Sequence, residues 1–99
     1  MNDFAALQQA DRRLVTLKVL AESAGYRSNE HLLRTMVGSL GHQVGAERLR
    51  ADLVDLQEMG LITTDAVAGV TMAALTEKGL DVASGTLTVP GVKRPLPGR

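Results

Sequence analysis

Residues 44–62 read VGAERLRADLVDLQEMGLI, the pattern of a short helix that follows a glycine turn and leads into a strand. Apolar residues recur at steps of four and three and share one side of a helix over residues 46–59. These are Leu49, Leu53 and Leu56. Gly60 ends the helix. A helix in this position is typical of the second helix of a helix-turn-helix, the element that can enter the major groove of DNA.

The composition describes one small domain with an aliphatic core. The chain has 99 residues, and a chain of this length buries roughly 60–70% of its unfolded surface, enough for a modest core without metal or disulfide. Phe4 and Tyr26 are its only aromatic residues, so the core is expected to consist of Leu, Val, Ala and Met. The absence of cysteine excludes disulfides and thiolate metal sites.

Charge and hydropathy restrict the functional classes. The formal net charge is zero, whereas DNA-binding domains usually carry a basic excess, so the charge balance weighs against a nucleic-acid partner. No apolar run approaches the roughly 18 residues of a membrane span, and the N-terminus has the features of neither a basic leader nor a secretion signal. We therefore expect a cytoplasmic protein without a membrane partner.

The N-terminal quarter predicts one long helix. An apolar face with alternating steps of three and four residues indicates a helix over residues 3–24, started by the capping residues Asn2 and Asp3 and ended by Gly25. This face consists of Leu7, Ala10, Leu14, Leu17, Ala21 and Ala24. A second flank is also apolar, so the helix either pairs with another copy in a homodimer through residues 3–24 or buries both flanks within a monomer.

A second helix and a glycine turn come next. Ser28 is a candidate N-cap for a helix over residues 29–40, in which Gly38 suggests close packing against a neighbour. The buried side of this helix is expected to comprise Leu32, Leu33, Met36, Val37 and Leu40. The turn, residues 41–45, ends at Gly45, an acceptable N-cap for the third helix.

The segment after Gly60 has the pattern of a β-hairpin. Residues 61–66 and 70–75 are rich in β-branched and apolar side chains, with Ala68 and Gly69 between them, and predict two strands. The expected core consists of Leu14, Leu17, Leu33, Met36, Val37, Leu49, Leu53, Leu56, Ile62 and Leu75.

The C-terminal part divides into a short helix and an extended arm. Thr76 is placed to cap a helix over residues 77–84. Three later prolines exclude both helix and central strand from the segment that follows. The interpretation is a domain over residues 1–85 and a proline-containing basic arm over residues 86–99. The charges of this arm are Lys93, Arg94 and Arg99.

These elements together indicate a mainly α fold with a small β-hairpin. Three helices, a two-stranded wing, a short closing helix and an extended C-terminal arm make a winged helix-turn-helix. Residues 60–85, GLITTDAVAGVTMAALTEKGLDVASG, resemble the wing and following segment of small winged-helix regulators. That pattern is shared by the ArsR, MarR and PadR groups, so the resemblance implies the fold.

The whole chain resembles a family of short phage proteins found in Mu-like prophages and often labelled ArsR-like regulators. The matching segments are residues 10–14 (ADRRL), 41–42 (GH), 50–53 (RADL), 75–83 (LTEKGLDVA) and 89–95 (VPGVKRP). The resemblance implies a phage or prophage origin and a regulatory role. Metal-responsive repression is not implied, because the metal-sensing cysteines of ArsR sensors are absent.

The sequence contains no catalytic, metal or cofactor motif. His31 and His42 fall in different predicted elements, without a nucleophile elbow or a cysteine nucleophile. The glycines around the turn are not followed by the Lys-Ser/Thr of a phosphate-binding loop. His42 and Glu47 alone are too few for a metal site, and a solvated turn histidine is expected instead. We expect neither an enzyme nor a bound cofactor, metal or small-molecule ligand.

Polar residues at the start of the third helix are candidates for reading DNA bases. Arg48 and Arg50 are the best placed, since arginine can donate two hydrogen bonds to guanine. Gln43 and Glu47 come next, because glutamine can bond adenine and glutamate can accept from cytosine. Lys93 and Arg94 of the arm are candidates for contacts with the DNA backbone.

Contacts with phosphate would have to come largely from outside the third helix. Asp55 and Glu58 extend its outer face with negative charge, and the hairpin tip, residues 65–70, has no Lys or Arg. The available basic residues are Arg12, Arg13, Arg27, Arg34, Lys93 and Arg94. The alternative is that these side chains are solvated or paired with neighbouring acids.

Two functions are therefore open. The first is a phage DNA-binding transcriptional regulator that acts by occupying a site as a dimer. The second is a winged-helix protein-interaction module, a phage accessory or assembly factor, which Ala51 and Val54 on the outer face of the third helix would suit. A positive band from the third helix to the tail would favour DNA, and a neutral, apolar helix face would favour protein.

Overall fold

The computed structural model describes residues 3–97, which form four α-helices and three strands. The elements are α1 (Asp3–Glu22), β1 (Arg27–Asn29), α2 (Glu30–Ser39), α3 (Ala46–Glu58), β2 (Ile62–Val67), β3 (Val70–Leu75) and α4 (Glu77–Ser84). The predicted cap Asn2 and the arm residue Arg99 lie outside the described residues. The prediction of a mainly helical fold with a small antiparallel sheet is confirmed. No helix among residues 3–97 is both long and apolar enough to cross a membrane.

The sheet has three strands in the order β1-β3-β2, one more than the predicted two-stranded hairpin. The hairpin itself is present, with Ile62 opposite Leu75 and Val67 opposite Val70. The third strand, β1, pairs antiparallel with the other edge of β3, with Ser28 opposite Ala73. Three residues are too few to show the alternation of a strand, so β1 is visible only through its partner.

Helix α1 crosses the core in its second half and extends beyond it in its first. Leu17 and Leu20 are fully buried, and Leu14 is nearly so. The predicted apolar face is wrong at both ends, because Leu7 is 68% exposed and Ala24 lies beyond the end of the helix, at an exposed position. The remaining elements cover only the later turns of α1, which leaves its first turns in solvent.

Helix α2 begins at Glu30, one residue later than predicted. Asn29, and not Ser28, is the N-cap, and its side chain accepts a hydrogen bond of 2.8 Å from the Leu32 amide. Ser28 is instead buried in β1. Met36 is 42% exposed, so its predicted place in the core is wrong. The side of α2 that faces the core carries the fully buried Leu33 and Val37, and a second apolar stripe is left in solvent. That stripe consists of Leu32, Met36 and Leu40.

Helix α3 buries the predicted side. Leu49, Leu53 and Leu56 are at most 2% exposed, and Gly45 is the N-cap, as predicted. The chain then turns at Gly60, whose φ is +78°, and enters β2 through the buried Leu61 and Ile62.

The backbone of α4 packs closely against the chain before β2 where α4 begins. The Thr76 hydroxyl caps this helix by accepting from the Gly79 amide at 3.0 Å, as its sequence position predicts. A Cβ atom on Gly79 would lie 2.0 Å from the carbonyl oxygen of Leu61. Gly38 has no such contact, since its added Cβ would meet only the Gln43 side chain at 3.8 Å. The glycine that permits close packing is therefore Gly79.

The segment after α4 returns along α1. Val92 is buried in the core, and the Lys93 amide donates to the Ala10 carbonyl at 3.1 Å. The Arg13 guanidinium donates to the Gly91 carbonyl at 3.1 Å. The described part of the predicted arm, residues 86–97, is thus irregular in conformation, and its middle residues, 91–93, are attached to α1.

We expect opposite effects from alanine at the two glycines. Gly79→Ala should lower the free energy of unfolding by about 1–3 kcal/mol, because the new methyl group would overlap the Leu61 carbonyl. Gly38→Ala, the control, should raise it by up to about 1 kcal/mol, because Ala is the better helix former and finds space there. Urea unfolding measures both values, and an equal effect at the two positions would contradict this packing.

Candidate nucleic-acid interface

The exposed face of α3 is centred on two acids and two apolar residues. Glu47, Ala51, Val54 and Glu58 are all exposed and follow one another along the side opposite the buried leucines. This outward side was predicted, but its centre carries no cation. Basic residues instead lie on the two flanks, with Arg48 on one and Arg50 on the other.

Arg48 is exposed in the first turn of α3. Within residues 3–97 its guanidinium makes no hydrogen bond or ion pair. It borders an open depression of about 440 Å³ between the start of α3 and the first turns of α1, which Gln8 and Gln9 also line. Its five N–H donors are available to an external acceptor.

Gln43 is exposed in the turn before α3 and faces the C-terminal half of α2. Together with Arg34, Thr35 and Ser39 it lines a second open depression of about 410 Å³. Gln43 and Arg34 provide amide and guanidinium donors at one end of the α2–α3 pair, whereas the hydroxyls of Thr35 and Ser39 already donate to backbone carbonyls of α2. Hydrogen-bond donors of these kinds are used for contacts with DNA phosphate groups and base edges.

Arg50 is held by an acid that the sequence did not indicate. Its Nε donates to Oε1 of Glu30 at 2.7 Å, and the other oxygen of Glu30 accepts from the Thr71 amide at 2.8 Å. The bond from the Thr71 amide and then that from Arg50 outweigh burial and lower the pKa of Glu30 to about 2. Glu30 thus connects α2, α3 and β3.

Arg12, a predicted source of phosphate contact, is buried and cannot serve that purpose. It forms a two-pronged ion pair with Asp52, with Nε to Oδ2 at 2.5 Å and Nη2 to Oδ1 at 3.0 Å. Asp52 is fully buried and Arg12 is 8% exposed. The hydrogen bonds to Asp52 raise the pKa of Arg12 despite its burial. The expectation of a phosphate contact here is wrong, because the guanidinium joins α1 to α3.

Arg13 is occupied in a similar way. One terminal nitrogen donates to Asp55 at 2.9 Å and the other to the Gly91 carbonyl at 3.1 Å. Its side chain is only 14% exposed. Arg12 and Arg13 are therefore both paired with neighbouring acids, as the alternative interpretation of the basic residues expected.

Lys93 and His42 of the α2–α3 turn contact the same acid, Asp11. Asp11 accepts from Lys93 at 3.3 Å and contacts Nε2 of His42 at 2.6 Å. Burial raises the pKa of Asp11. The interactions with His42 and Lys93 together lower this pKa by a larger amount, so the net shift is downward. The expectation of a solvated His42 is wrong, since its side chain is 13% exposed. Arg94 is exposed and lies apart, beside Gly85 and Pro95.

The predicted site residues therefore fall into three places. Gln43, Glu47 and Arg48 lie around the start of α3, Arg50 lies on the flank opposite Arg48, and Lys93 approaches the turn from the tail. Sequence reasoning missed Asp52 and Glu30. The phase of α3 offered a signal for Asp52, which falls among the buried leucines and requires a cation. Among residues 3–97, no group of three or more potential ligands is arranged to hold a metal ion.

The chain is similar to two proteins described as uncharacterised. It is 38% identical over 87 residues to gp26 of Escherichia phage Mu, which covers 88% of this chain and 90% of that protein. It is 36% identical over 78 residues to a protein of Haemophilus influenzae strain Rd, which covers 78% and 76%. The resemblance to proteins of Mu-like phages is confirmed to this extent, and neither relative carries the label of an ArsR-like regulator. No family model matches the chain.

A solved structure shares the fold. The structure described as the complex structure of hsRosR-S1 superposes with a TM-score of 0.67, covering 80% of this chain and 70% of that one. The two sequences are 23% identical, so the likeness concerns the fold alone.

Removal of the Asp52 carboxylate should destabilise the protein strongly. Asp52→Ala leaves the Arg12 guanidinium buried without a partner, a change that lowers the free energy of unfolding by about 3–5 kcal/mol. Asp55→Ala, the control, removes a carboxylate that is 40% exposed and leaves Arg13 its bond to the Gly91 carbonyl, so it should cost no more than about 1 kcal/mol. Urea unfolding provides both numbers. Similar losses from the two variants would show that the Arg12–Asp52 pair has no special weight.

The stabilising contribution of Glu30 should depend on pH. Its folded pKa of about 2 lies below the ordinary 4.5, so its contribution is complete above about pH 4.5 and is lost as the pH falls toward 2. The test is urea unfolding of the native chain and Glu30→Gln between about pH 7 and pH 2. The difference in unfolding free energy should be constant in the upper range and shrink in the lower. Other acids, Asp11 included, affect both proteins and cancel, and a difference that persists at pH 2 would contradict the assignment.

Proposed function

We propose, for a chain that belongs to the family of gp26 of Escherichia phage Mu, a role as a DNA-binding regulator of the winged-helix type. In this proposal α2 and α3 form the helix-turn-helix, α3 enters the major groove, and the β2–β3 hairpin is the wing. The protein acts by occupying a site on DNA in the cytoplasm, without enzyme activity or a cofactor.

The observation that carries the proposal is the unoccupied guanidinium of Arg48. It is exposed in the first turn of α3, the part of a recognition helix from which side chains usually reach base edges. Gln43 and Arg34 lie beside the same end of the helix and supply further donors. Arg48 and Gln43 are therefore the first candidates for base contacts, and Arg34 and Lys93 are candidates for phosphate contacts.

A homodimer would give this arrangement its specificity. The exposed Phe4 and Leu7 lie on successive turns of the free part of α1, each 68% exposed, and would be covered by a second copy. Two α3 helices about one turn of DNA apart would then read a palindrome.

A second candidate function has its own support in the outer face of α3. Glu47 and Glu58 lie on the middle line of the exposed face of α3, and their negative charges would oppose entry into a groove lined by phosphates. The exposed Ala51 and Val54 on the same face suit contact with a protein. This observation favours an interaction module that keeps the fold but does not bind DNA, as an accessory or assembly factor of the phage.

Arg48→Ala should weaken binding to duplex DNA. Fluorescence anisotropy of a labelled random-sequence duplex, titrated at increasing salt, should show affinity that falls steeply with salt in the native chain. Arg48→Ala should bind about tenfold more weakly, because a base or phosphate contact contributes roughly 1–3 kcal/mol.

Lys78→Ala is the matched control for this experiment. Lys78, in the first turn of α4, has the same charge as Arg48. It donates to the carbonyl of Met59 at the C-terminal end of α3, and Met59 lies roughly 16 Å along the helix from Arg48. Its replacement should leave the affinity within about twofold of the native value. A folded native chain that binds no duplex at low salt would overturn the DNA proposal and favour the interaction module.

A further inference from the structure

The carboxylate of Glu30 is buried at the junction of three elements. Glu30 is 5% exposed and stands at the first position of α2. One of its oxygens accepts from the Thr71 backbone amide in β3, and the other accepts from Nε of Arg50 in α3. Both oxygens are used, so the carboxylate is fixed by a backbone group that cannot rotate away.

Arg50 is attached at Nε and free at its outer end. Its side chain is 55% exposed, and its two terminal nitrogens make no hydrogen bond to any residue between 3 and 97. A guanidinium carries five N–H donors in a planar fork, so four of them remain for an external partner. The fork is presented in one orientation because its inner edge is bound.

This pair differs from an ordinary surface ion pair. When both partners are exposed and mobile, the pair restricts neither of them strongly and contributes little. Here one partner is buried and bonded to the backbone of the hairpin, so the exposed partner loses much of its freedom before any ligand arrives. Prior ordering of this kind reduces the entropy lost on binding.

We propose that Glu30 is a positioning residue that holds Arg50 between α3 and the hairpin, so that Arg50 donates two hydrogen bonds to one pair of acceptors on DNA. The inference rests on the DNA-binding function proposed above and names a contact within it. The acceptors are either two oxygens of a phosphate or O6 and N7 of a guanine, both of which match the planar fork. The placement supports this ligand because the anchoring amide, that of Thr71, belongs to the wing.

The sign of one substitution tests the proposal. Glu30→Gln removes a negative charge near the DNA, and this loss alone would tighten binding or leave it unchanged. If Glu30 positions Arg50, the same substitution should weaken binding about tenfold, as Arg50→Ala does. The measurement is anisotropy with the labelled duplex, after urea unfolding has shown that each variant is folded.

Double variants separate positioning from a general change. Glu30→Gln should have almost no further effect in the Arg50→Ala background, because its action passes through Arg50. In the Arg48→Ala background its effect should be undiminished, since Arg48 lies on the other flank of α3. Arg50→Lys gives a second test that leaves Glu30 intact. Lysine keeps the charge but lacks Nε and the fork, so it should bind almost as weakly as Arg50→Ala.

The outcomes distinguish this inference from the function on which it rests. If the native chain binds no DNA, the proposed function fails and this contact fails with it. If the native chain binds DNA but Glu30→Gln tightens binding or leaves it unchanged, the DNA function stands and the positioning role of Glu30 is wrong. The same conclusion follows if Arg50→Lys binds as well as the native chain.

The two kinds of acceptor give different results. Loss of a phosphate contact should weaken binding to all duplexes alike and reduce the salt dependence by about one counterion. Loss of a guanine contact should appear mainly on a selected site and be reproduced there by 7-deazaguanine, which lacks the N7 acceptor. Either pattern supports the contact and assigns its partner.

Discussion

The structure depends on the buried ion pair between Arg12 of α1 and Asp52 of α3. Two charges inside an apolar core are tolerated only when each satisfies the other, so the pair permits one relative position of the two helices. Leucines on either side of Asp52 then pack in that register. The pair also explains part of the charge balance. Seven charges of each sign lie outside these ion pairs and still balance, because four of the eleven cations are each paired with one of the eleven acids. These cations are Arg12, Arg13, Arg50 and Lys93.

Local signals in the sequence were sufficient for the elements and insufficient for their arrangement. The capping role of Thr76, the glycine at Gly45 and the three leucines of α3 each depend on neighbours within a few residues, and all were predicted correctly. The strand β1 depends on an edge of β3 more than forty positions away, and the exposure of Met36 depends on which side of α2 faces the core. No periodicity within one segment contains that information.

The same distinction applies to the candidate interface. That Arg48 would be exposed follows from the phase of α3, and so does the flank on which Arg50 lies. The pairing of Arg50 with Glu30 and the loss of Arg12 and Arg13 to internal acids could not be predicted, since each joins residues from different helices. A count of basic residues overestimates the positive charge available to bind DNA when the fold uses some of them, such as Arg12 and Arg13, in ion pairs between its helices.

The attachment of the tail to α1 has a consequence for synthesis on the ribosome. Helix α1 is synthesised before the tail, but the amide that reaches its Ala10 carbonyl belongs to Lys93, and the carbonyl that satisfies Arg13 belongs to Gly91. Closing so long a loop is slow compared with forming a helix. The nascent chain therefore exposes part of α1 until residues 91–93 have been synthesised. Such a partly covered intermediate exposes apolar surface and is therefore prone to aggregation until the tail docks.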